Sequence, residues 1–473
     1  MEVRLRKYQE QGVTAIKAAF ATGHRRVLFV LPTGGGKTVI FSHIAAHAVA
    51  KGNSVCVLVH RQELVDQASR SLEGMGIDHG VIAAGYRMDL TKPVQVASVQ
   101  TLARRLRLID PDKFALFIVD EAHHAVAGQW AKVLDYFDTR VLGCTATPQR
   151  LDGRGLAAYF DVMVEGPGSA WLTTEGYLAP ARVYAPPVQA DFGDLKFRAG
   201  DYAVDQVAEA MQATKVMGDV VQHFRQHLGE GTAIAFCCTV EHCHAVAEAF
   251  DNAGIPAAVI DGSMNKEKRR QLIEDLGAGS VRVLCSCNVV SEGTDIPSVT
   301  GCLLLRKTAS LSLYLQQVGR CLRPAPGKEA AIVLDHVGNV FEHGLPTMGR
   351  SWSLDSPARR KNDRPKAPSV RVCESCFAAV PSGIKSCPEC GATWVKRHRS
   401  IESIEGELEE MDHKRAMRAM EAIERRQKME QRQEVGRART LHELQAIAQQ
   451  RGYSPGWAHH IFSSRRKRNA SQS

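Results

Sequence analysis

The chain has 473 residues, which is more than one ordinary domain holds and suits two or three domains. Its apolar fraction of 44% fits a protein with buried cores, and no run approaches the roughly 20 apolar residues that a membrane span needs. The charged first residues predict no secretion signal, so we expect a cytoplasmic protein. The formal net charge of +9 is compatible with a phosphate-rich partner but does not require one.

Short apolar runs alternate along the chain with helix-length segments such as 39–50 and 61–74. The runs are continuous rather than alternating, which is typical of strands buried on both faces of a parallel sheet. They lie at 27–31, 55–59, 94–97, 114–119 and 141–143, and again at 232–238, 257–260, 281–285, 301–305 and 331–334. This rhythm predicts an α/β fold with two tandem parallel-sheet lobes at 1–166 and 216–350, joined by a connecting segment at 167–215.

The rest of the chain differs in composition from the two lobes. A stretch rich in Pro, Arg, Lys and Ser at 351–369 predicts a linker, and a Cys-rich module follows at 370–396. The remainder, 397–473, is charged; we predict a solvated helix at 401–434 and note a basic run at 465–468. A spacer or charged tail without a function remains an alternative for this helical region.

A glycine-rich loop follows the first apolar run and opens a helix. Three glycines allow successive backbone N–H groups to surround an anion, and the helix N-terminus adds its positive dipole end. Lys37 can then reach the β- and γ-phosphates of a nucleotide, and Thr38 can ligate Mg²⁺. Leu31 stands where the strict phosphate-loop pattern has its first glycine, and a turn without a ligand remains an alternative. The loop residues are Pro32, Thr33, Gly34, Gly35, Gly36, Lys37 and Thr38.

An acidic pair follows the run at 114–119. Asp120 is placed to hold Mg²⁺, and Glu121 is placed to position and deprotonate an attacking water. Such a pair is common by itself. After Gly-Lys-Thr, at the end of a later strand of the same lobe, it indicates nucleotide hydrolysis.

Basic residues near the end of the second lobe offer the charge that phosphoryl transfer needs. Gln317, Arg320 and Arg323 are three residues apart, which on a helix places them on one face. Arginines supplied from a second body can stabilise the negative charge of the transition state. A solvated basic helix face is the alternative interpretation of this spacing.

Read in order, these segments resemble the motifs of superfamily 2 helicases over residues 1–340. The resemblance implies two RecA-like lobes that bind ATP and Mg²⁺ between them and contact nucleic acid. It assigns Arg6 and Gln9 to adenine recognition, and Gly293 and Asp295 to the nucleotide. It makes Arg320 and Arg323 the arginine fingers, with Gln317 beside them. Strand contacts are implied for Arg61, Ser98, Gln100, Thr101 and Thr294, and the acidic pair belongs to Asp-Glu-Ala-His at 120–123.

Within this superfamily, the chain is most similar to RadD-like bacterial repair helicases and to prophage DEAD/DEAH helicases. Gln316 and Gln317 replace the His-Arg of many relatives, which favours DNA over RNA as the substrate. The alternatives are the motor subunit of a restriction-type complex, an RNA helicase, and a clamp that remodels proteins on DNA. A single-strand-binding or repair protein is a possible partner, and we expect no membrane partner.

Four of the 13 cysteines form two Cys-x₂-Cys pairs separated by ten residues: Cys373, Cys376, Cys387 and Cys390. Four thiolates at this spacing in a reduced protein predict a closed, structural Zn²⁺ site, since no position is left open for a substrate. Two disulfides or free thiols are the alternatives. The other nine cysteines are scattered, mostly in apolar runs, and we expect them to act as small core residues.

Overall fold

The computed structural model describes residues 4–60, 62–124, 128–149, 155–186, 197–198, 201–202, 216–287, 289, 298–355, 369–394, 438, 440–451, 456, 458 and 461–463. The chain divides into two compact units, residues 1–395 and 396–473. Within the described ranges, no helix has the length and apolar character needed to cross a membrane.

The first lobe is a sheet of seven parallel strands in the order β3-β4-β2-β5-β6-β1-β7. Helices cover both faces, which explains why the central strands are apolar along their whole length. The strands are β1 (Arg26–Val30), β2 (Val55–Val59), β3 (His79–Ile82), β4 (Val94–Ser98), β5 (Leu116–Asp120), β6 (Arg140–Thr145) and β7 (Val162–Glu165). The helices are α1 (Lys7–Ala21), α2 (Lys37–Val49), α3 (Gln62–Gly74), α4 (Val99–Arg105) and α5 (Gln129–Phe137).

The second lobe repeats this plan with six parallel strands in the order β12-β13-β11-β14-β15-β8. These strands are β8 (Ala181–Tyr184), β11 (Ala233–Phe236), β12 (Ala257–Ile260), β13 (Val283–Ser286), β14 (Gly301–Leu304) and β15 (Ala331–Asp335). Two short strands, β9 (Phe197–Arg198) and β10 (Asp201–Tyr202), pair separately. The helices from the connection onward are α6 (Ser169–Thr174), α7 (Val216–Leu228), α8 (Val240–Asn252), α9 (Lys266–Ala278), α10 (Leu311–Gly319) and α11 (Asn339–His343).

The two tandem α/β lobes predicted from the sequence are therefore present. The predicted connecting segment, however, contains β8, which pairs with β15 and forms one edge of the second lobe's sheet. Eight of the nine scattered cysteines are buried, as expected for core residues, and Cys287 is half-buried.

The Cys-rich module begins with an antiparallel hairpin of β16 (Val370–Val372) and β17 (Ala379–Pro381). It packs against the edge strand β8: the Ala185 N–H donates to the Phe377 carbonyl at 3.0 Å, and Arg182 pairs with Glu389 at 3.3 Å. Tyr184 joins the module's small apolar core.

In the second unit, α12 (Leu441–Arg451) is the described helix. Leu444 and Ile447 of this helix pack with Ala438 and Ala458 in a small cluster of their own. The predicted helix at 401–434 and the basic run at 465–468 lie outside the described residues.

Candidate functional site

A cleft of about 1560 Å³ is lined by most of the residues predicted to bind and cleave a nucleotide. Lys37, Thr38 and the acidic pair line it from the first lobe, and Arg320 and Arg323 line it from the second. The first-lobe residues follow the carboxyl ends of β1 and β5, and parallel sheets place their ligand sites at this edge. The lobes therefore bring the two halves of the predicted site to one cavity.

The glycine loop is shaped by close packing on all sides. Gly36 is the N-cap of α2 with φ of 85°, and an added Cβ there would lie 2.5 Å from the Gln9 amide nitrogen. The Tyr8 hydroxyl donates to the Gly35 carbonyl at 2.8 Å. Leu31 is fully buried beneath the loop, where a Cβ on Gly35 would meet its Cγ at 2.8 Å. Leu31 thus fills the space under the loop, which accounts for its presence in place of a glycine.

Two features of the loop fit a bound phosphate chain. Lys37 Nζ donates to the Leu31 carbonyl at 3.2 Å and lines the cleft. Thr33 Oγ1 is buried and has no hydrogen-bond partner among the described residues, although Thr33 also lines the cleft. Because a buried hydroxyl without a partner is costly, a phosphate oxygen at this place would satisfy it.

The segment predicted to recognise adenine forms the start of α1. Gln9 is buried, and its Oε1 accepts from the Arg6 backbone N–H at 2.9 Å. The Arg6 guanidinium lies 4.8 Å from the centre of the Tyr177 ring, and both residues line the cleft. Tyr177 was not predicted, because it follows α6 far along the chain and carries no local motif.

The acidic pair is buried at the end of β5. Glu121 adopts φ of 49°, an unusual conformation for this residue, and its carboxylate lies 3.4 Å from Nδ1 of His123. The Asp120 carboxylate accepts from the Glu121 N–H at 3.0 Å. Strained backbone that holds a carboxylate in place is common at catalytic sites.

A chain of polar groups leads from Glu121 towards the second lobe. His123 Nδ1 lies 3.0 Å from Thr145 Oγ1, and this hydroxyl donates to the Thr147 carbonyl at 2.9 Å. The Thr147 hydroxyl in turn contacts the Ser312 hydroxyl of the second lobe. Ser312 was missed by the sequence interpretation because only the folded structure places it beside Thr147.

The arginines lie at the end of α10, with one correction to the prediction. The helix ends at Gly319 with Arg320 as its C-cap, still in helical conformation, whereas Arg323 follows in a turn and does not share a helix face with Gln317. The turn brings both arginines to the cleft, whereas Gln317 is buried within α10 and does not line it. Burial lowers the pKa of Arg323 to about 10, which leaves it charged at neutral pH.

The second lobe touches the glycine loop directly. A Cβ added to Gly319 would lie 2.6 Å from the Thr33 side chain, and one added to Gly34 would lie 3.8 Å from Arg323 Cγ. Glycine at position 319 therefore permits the close approach of the two lobes, whereas a Cβ at position 34 would make only ordinary van der Waals contact with Arg323.

The predicted strand contacts are only partly described. Ser98 is buried and caps α4, where its hydroxyl accepts from the Thr101 N–H at 3.4 Å. Gln100 is exposed, and its amide donates to the His60 carbonyl at 2.9 Å. Arg61, Gly293, Thr294 and Asp295 lie outside the described residues.

The four module cysteines converge as the sequence spacing predicts. Their Sγ atoms all lie within 4.8 Å of one another, at 3.7 Å for Cys373 and Cys390 and 3.6 Å for Cys376 and Cys387. Thiolates around tetrahedral zinc stand about 3.8 Å apart, given Zn–S bonds of about 2.3 Å, whereas a disulfide requires about 2.05 Å. The donor set and spacing fit Zn²⁺.

Two family models match the lobes in order. The model for the res subunit of type III restriction enzymes matches residues 2–150, and the helicase conserved C-terminal domain matches residues 215–325. A 51.5 kDa protein of Lactococcus phage (isolate 7-9) is 34% identical over 382 residues and covers 80% of both chains. IRC3 of Saccharomyces cerevisiae, provisionally named as an ATP-dependent helicase, is 33% identical over 355 residues.

The chain belongs to the superfamily 2 helicases. It is an ATP-hydrolysing helicase motor, and most of its predicted ATP-site residues line the cleft. The chain shares 26% identity over 342 residues with a protein of Kineococcus radiotolerans named as the DNA 3′-5′ helicase XPB. It covers 51% of IRC3 and 57% of that XPB protein, so both relatives extend well beyond the shared motor.

A solved structure agrees with the fold. A fragment assigned to the HsdR subunit of a type I restriction enzyme from Vibrio vulnificus YJ016 superposes with a TM-score of 0.58 at 21% identity. The match covers 70% of this chain and 64% of that fragment. At this identity it supports the two-lobe architecture of the helicase motor.

Proposed function

We propose that this superfamily 2 helicase is a DNA-stimulated ATPase that moves along or opens DNA during repair, recombination or phage replication. The observation that carries the proposal is the convergence of Arg320 and Arg323 from one lobe on the cleft that holds Lys37 and Glu121 of the other. A site completed only when both lobes meet couples hydrolysis to their closure.

Different residues of the chain have different roles in ATP hydrolysis. Lys37 and the loop N–H groups bind the phosphates, Thr38 and Asp120 would hold Mg²⁺, and Glu121 would accept the proton of the attacking water. Bound Mg²⁺ supplies charge neutralisation at the phosphate oxygens. Arg320 and Arg323 stabilise the charge that develops on the γ-phosphate.

We assign adenine recognition to the start of α1 together with one unpredicted residue. Gln9 is held at the edge of the glycine loop, and Arg6 packs on Tyr177 at the cleft wall. Stacked aromatic and guanidinium planes accept a flat base readily. Buried Gln317 supports α10 in this proposal and does not touch the nucleotide.

DNA is the favoured substrate over RNA. Gln316 and Gln317 stand in place of His-Arg, and the XPB relative is named as a DNA helicase. We expect Gln100 and Thr101, with Arg61 and Thr294, to contact strand phosphates, so sequence preference should be weak. Buried Ser98 acts instead through its cap of α4.

Zinc in the Cys-rich module is part of the proposal. The four thiols stand at the distances expected for tetrahedral Zn²⁺, and the module is anchored to β8 of the second lobe. Its metal would be structural, because all four positions belong to the protein. A single-strand-binding or repair protein remains the proposed partner, and the cytoplasm the proposed location.

The family match favours one second candidate, the motor subunit of a restriction-type complex. It rests on the match of residues 2–150 to the res subunit of type III restriction enzymes. A Mg²⁺-dependent nuclease assay of the purified chain, alone and with candidate partner subunits, separates the two functions.

The deciding experiment measures the ATPase rate with single-stranded, double-stranded and forked DNA and with RNA. We expect DNA to stimulate the rate several-fold more than RNA. Equal stimulation by RNA would overturn the choice of substrate. Absence of stimulation by any nucleic acid would overturn the proposed function.

A further inference from the structure

A carboxylate from the connection between the lobes occupies a set of donors on the second lobe. Asp201 in β10 accepts from the Thr308 hydroxyl at 2.9 Å and from the Ala309 backbone N–H at 2.7 Å. The Arg306 guanidinium lies 3.3 Å from the same carboxylate. One anionic side chain is therefore bound by a guanidinium, a hydroxyl and an amide.

These donors are held rigidly rather than offered by flexible surface chains. Thr308 is fully buried, and its hydroxyl also accepts from the Ser310 N–H at 3.0 Å. The Thr308 N–H donates to Asn339 Oδ1 at 3.0 Å, and the amide of Asn339 donates to the Arg306 carbonyl at 3.0 Å. Arg306 itself is only 8% exposed. Contacts within the protein therefore hold these donor groups in position without a bound ligand.

The loop lies at the carboxyl-end edge of the second lobe's sheet. It follows the carboxyl end of β14 and leads into α10, whose residue Ser312 contacts Thr147 of the first lobe. The donor set is thus at the functional edge of the sheet and beside the junction of the two lobes. Arginine, hydroxyl and backbone N–H groups are the donors that most often bind nucleic-acid phosphates.

We infer that Arg306, Thr308 and the Ala309 N–H form a binding site for a strand phosphate, and that Asp201 occupies this site until nucleic acid displaces it. The inference rests on the proposed function, because it requires the protein to bind a nucleic-acid strand. Asp201 then competes with the strand, and the strand's apparent affinity equals its intrinsic affinity multiplied by the fraction of molecules in which the site is free.

If Asp201 served only to anchor β10 to the second lobe, it would make the same contacts. The neighbouring residue, Tyr202, provides a control for this alternative. The Tyr202 hydroxyl donates to Glu342 at 3.1 Å, so it also fastens β10 to the second lobe, through a residue that is not one of the three donors. Tyr202→Phe removes this hydrogen bond and tests whether weaker attachment of β10 is enough to change strand binding. Removing the charge by Asp201→Asn tests competition, because it keeps the shape of the side chain.

The experiment titrates the full chain with a fluorescein-labelled single-stranded oligothymidylate, without nucleotide, at several salt concentrations. We expect Asp201→Asn to tighten binding by about three- to tenfold. We expect its slope of log affinity against log salt to steepen by about 0.7, the value of one extra phosphate contact on a single strand. Tyr202→Phe should match the wild type in both.

The donor side is tested in the Asp201→Asn background. Adding Thr308→Val should abolish the gain, and Thr308→Ser, which restores a hydroxyl, should recover it. Thermal melting of each variant shows that the lobe is folded.

Two results would overturn the inference while leaving the motor intact: wild-type affinity and slope in Asp201→Asn, or an equal gain in Tyr202→Phe. Tighter binding of inorganic phosphate by Asp201→Asn, without tighter binding of the oligonucleotide, also overturns it. If the wild type and every variant fail to bind the oligonucleotide, the proposed function fails with it.

Discussion

The hydroxyl of Thr147 in the first lobe hydrogen-bonds with the hydroxyl of Ser312 in the second lobe. The Thr147 carbonyl accepts from the Thr145 hydroxyl, which contacts His123, and Nδ1 of His123 lies 3.4 Å from the carboxylate of Glu121. All of these groups are buried, where hydrogen bonds are strong and a missing partner is costly. The position of the second lobe is therefore linked to the residue that would activate water.

This link predicts a defect in coupling for Ser312→Ala. Removing the hydroxyl leaves the ATP site complete but deprives Thr147 of its contact across the lobes. We expect DNA-stimulated turnover to fall about three- to tenfold, the effect of one buried hydrogen bond. DNA affinity should change little. Thr14→Ala, an exposed hydroxyl on α1, is the matched control, and an unchanged stimulated rate in Ser312→Ala would argue against the link.

Lys37→Ala should abolish ATP hydrolysis and leave DNA binding largely intact. The lysine lines the cleft and begins α2, whereas the proposed strand contacts follow other strands of the sheet. A steady-state ATPase assay and oligonucleotide binding on the same preparation provide the measurement. Wild-type turnover in this variant would refute the placement of the phosphate site.

Arg323→Ala should slow hydrolysis by about 10³- to 10⁵-fold, the usual contribution of an arginine finger, with a smaller effect on nucleotide binding. Because burial lowers the pKa of Arg323 to about 10, its charge persists at neutral pH and is lost above that value. The wild-type rate should therefore be insensitive to this group between pH 7 and 9, which a pH profile checks. Arg323→Lys keeps a charge and should retain part of the activity; equal rates for the two variants would contradict a charge role.

Gly319→Ala should also impair hydrolysis, although glycine has no chemical role. The new Cβ would stand 2.6 Å from Thr33, so the turn that carries Arg320 must move away from the glycine loop. We expect a loss of kcat of at least about tenfold, since small displacements of catalytic groups are expensive. Gly349→Ala, where an added Cβ meets nothing within 4 Å, is the control. A normal kcat in Gly319→Ala would show that the lobes need not approach so closely.

The sequence predicted the two lobes because their central strands are buried on both faces and are continuously apolar. It did not predict β8, in which Arg182 interrupts the apolar residues and whose partners, β15 and the Cys-rich module, lie far along the chain. Edge strands such as β3, with His79 and Gly80, give the same weak local signal.

The chemistry of the ATP site was easier to predict than its geometry. Lys37 and Asp120 belong to short motifs whose spacing follows from one strand and one turn. The end of α10 at Gly319 shows the limit of such reasoning. The three-residue spacing of Gln317, Arg320 and Arg323 predicted a single helix face, whereas the chain turns before Arg323. Tyr177 and Ser312 have no motif, and only the packing of the lobes brings them to the site.

Loss of the predicted zinc should weaken the motor lobe as well as the Cys-rich module. The module pairs with the edge of the second lobe through Ala185 and Phe377, and Tyr184 of β8 packs into the module's core. A module this small folds only with its metal, so chelation should remove its packing on β8. We expect one zinc per chain by metal analysis, and a fall in Tm on the order of 5 °C in Cys373→Ser.

Cys287→Ser controls for the loss of a thiol outside the module, since Cys287 is half-buried in the second lobe. It should keep its zinc and most of its stability. If Cys373→Ser loses zinc and the melting of the second lobe is unchanged, the module is an independent attachment. A fall in Tm with loss of metal would instead show that the Cys-rich module stabilises the open edge of the sheet, where an unpaired strand would otherwise invite aggregation.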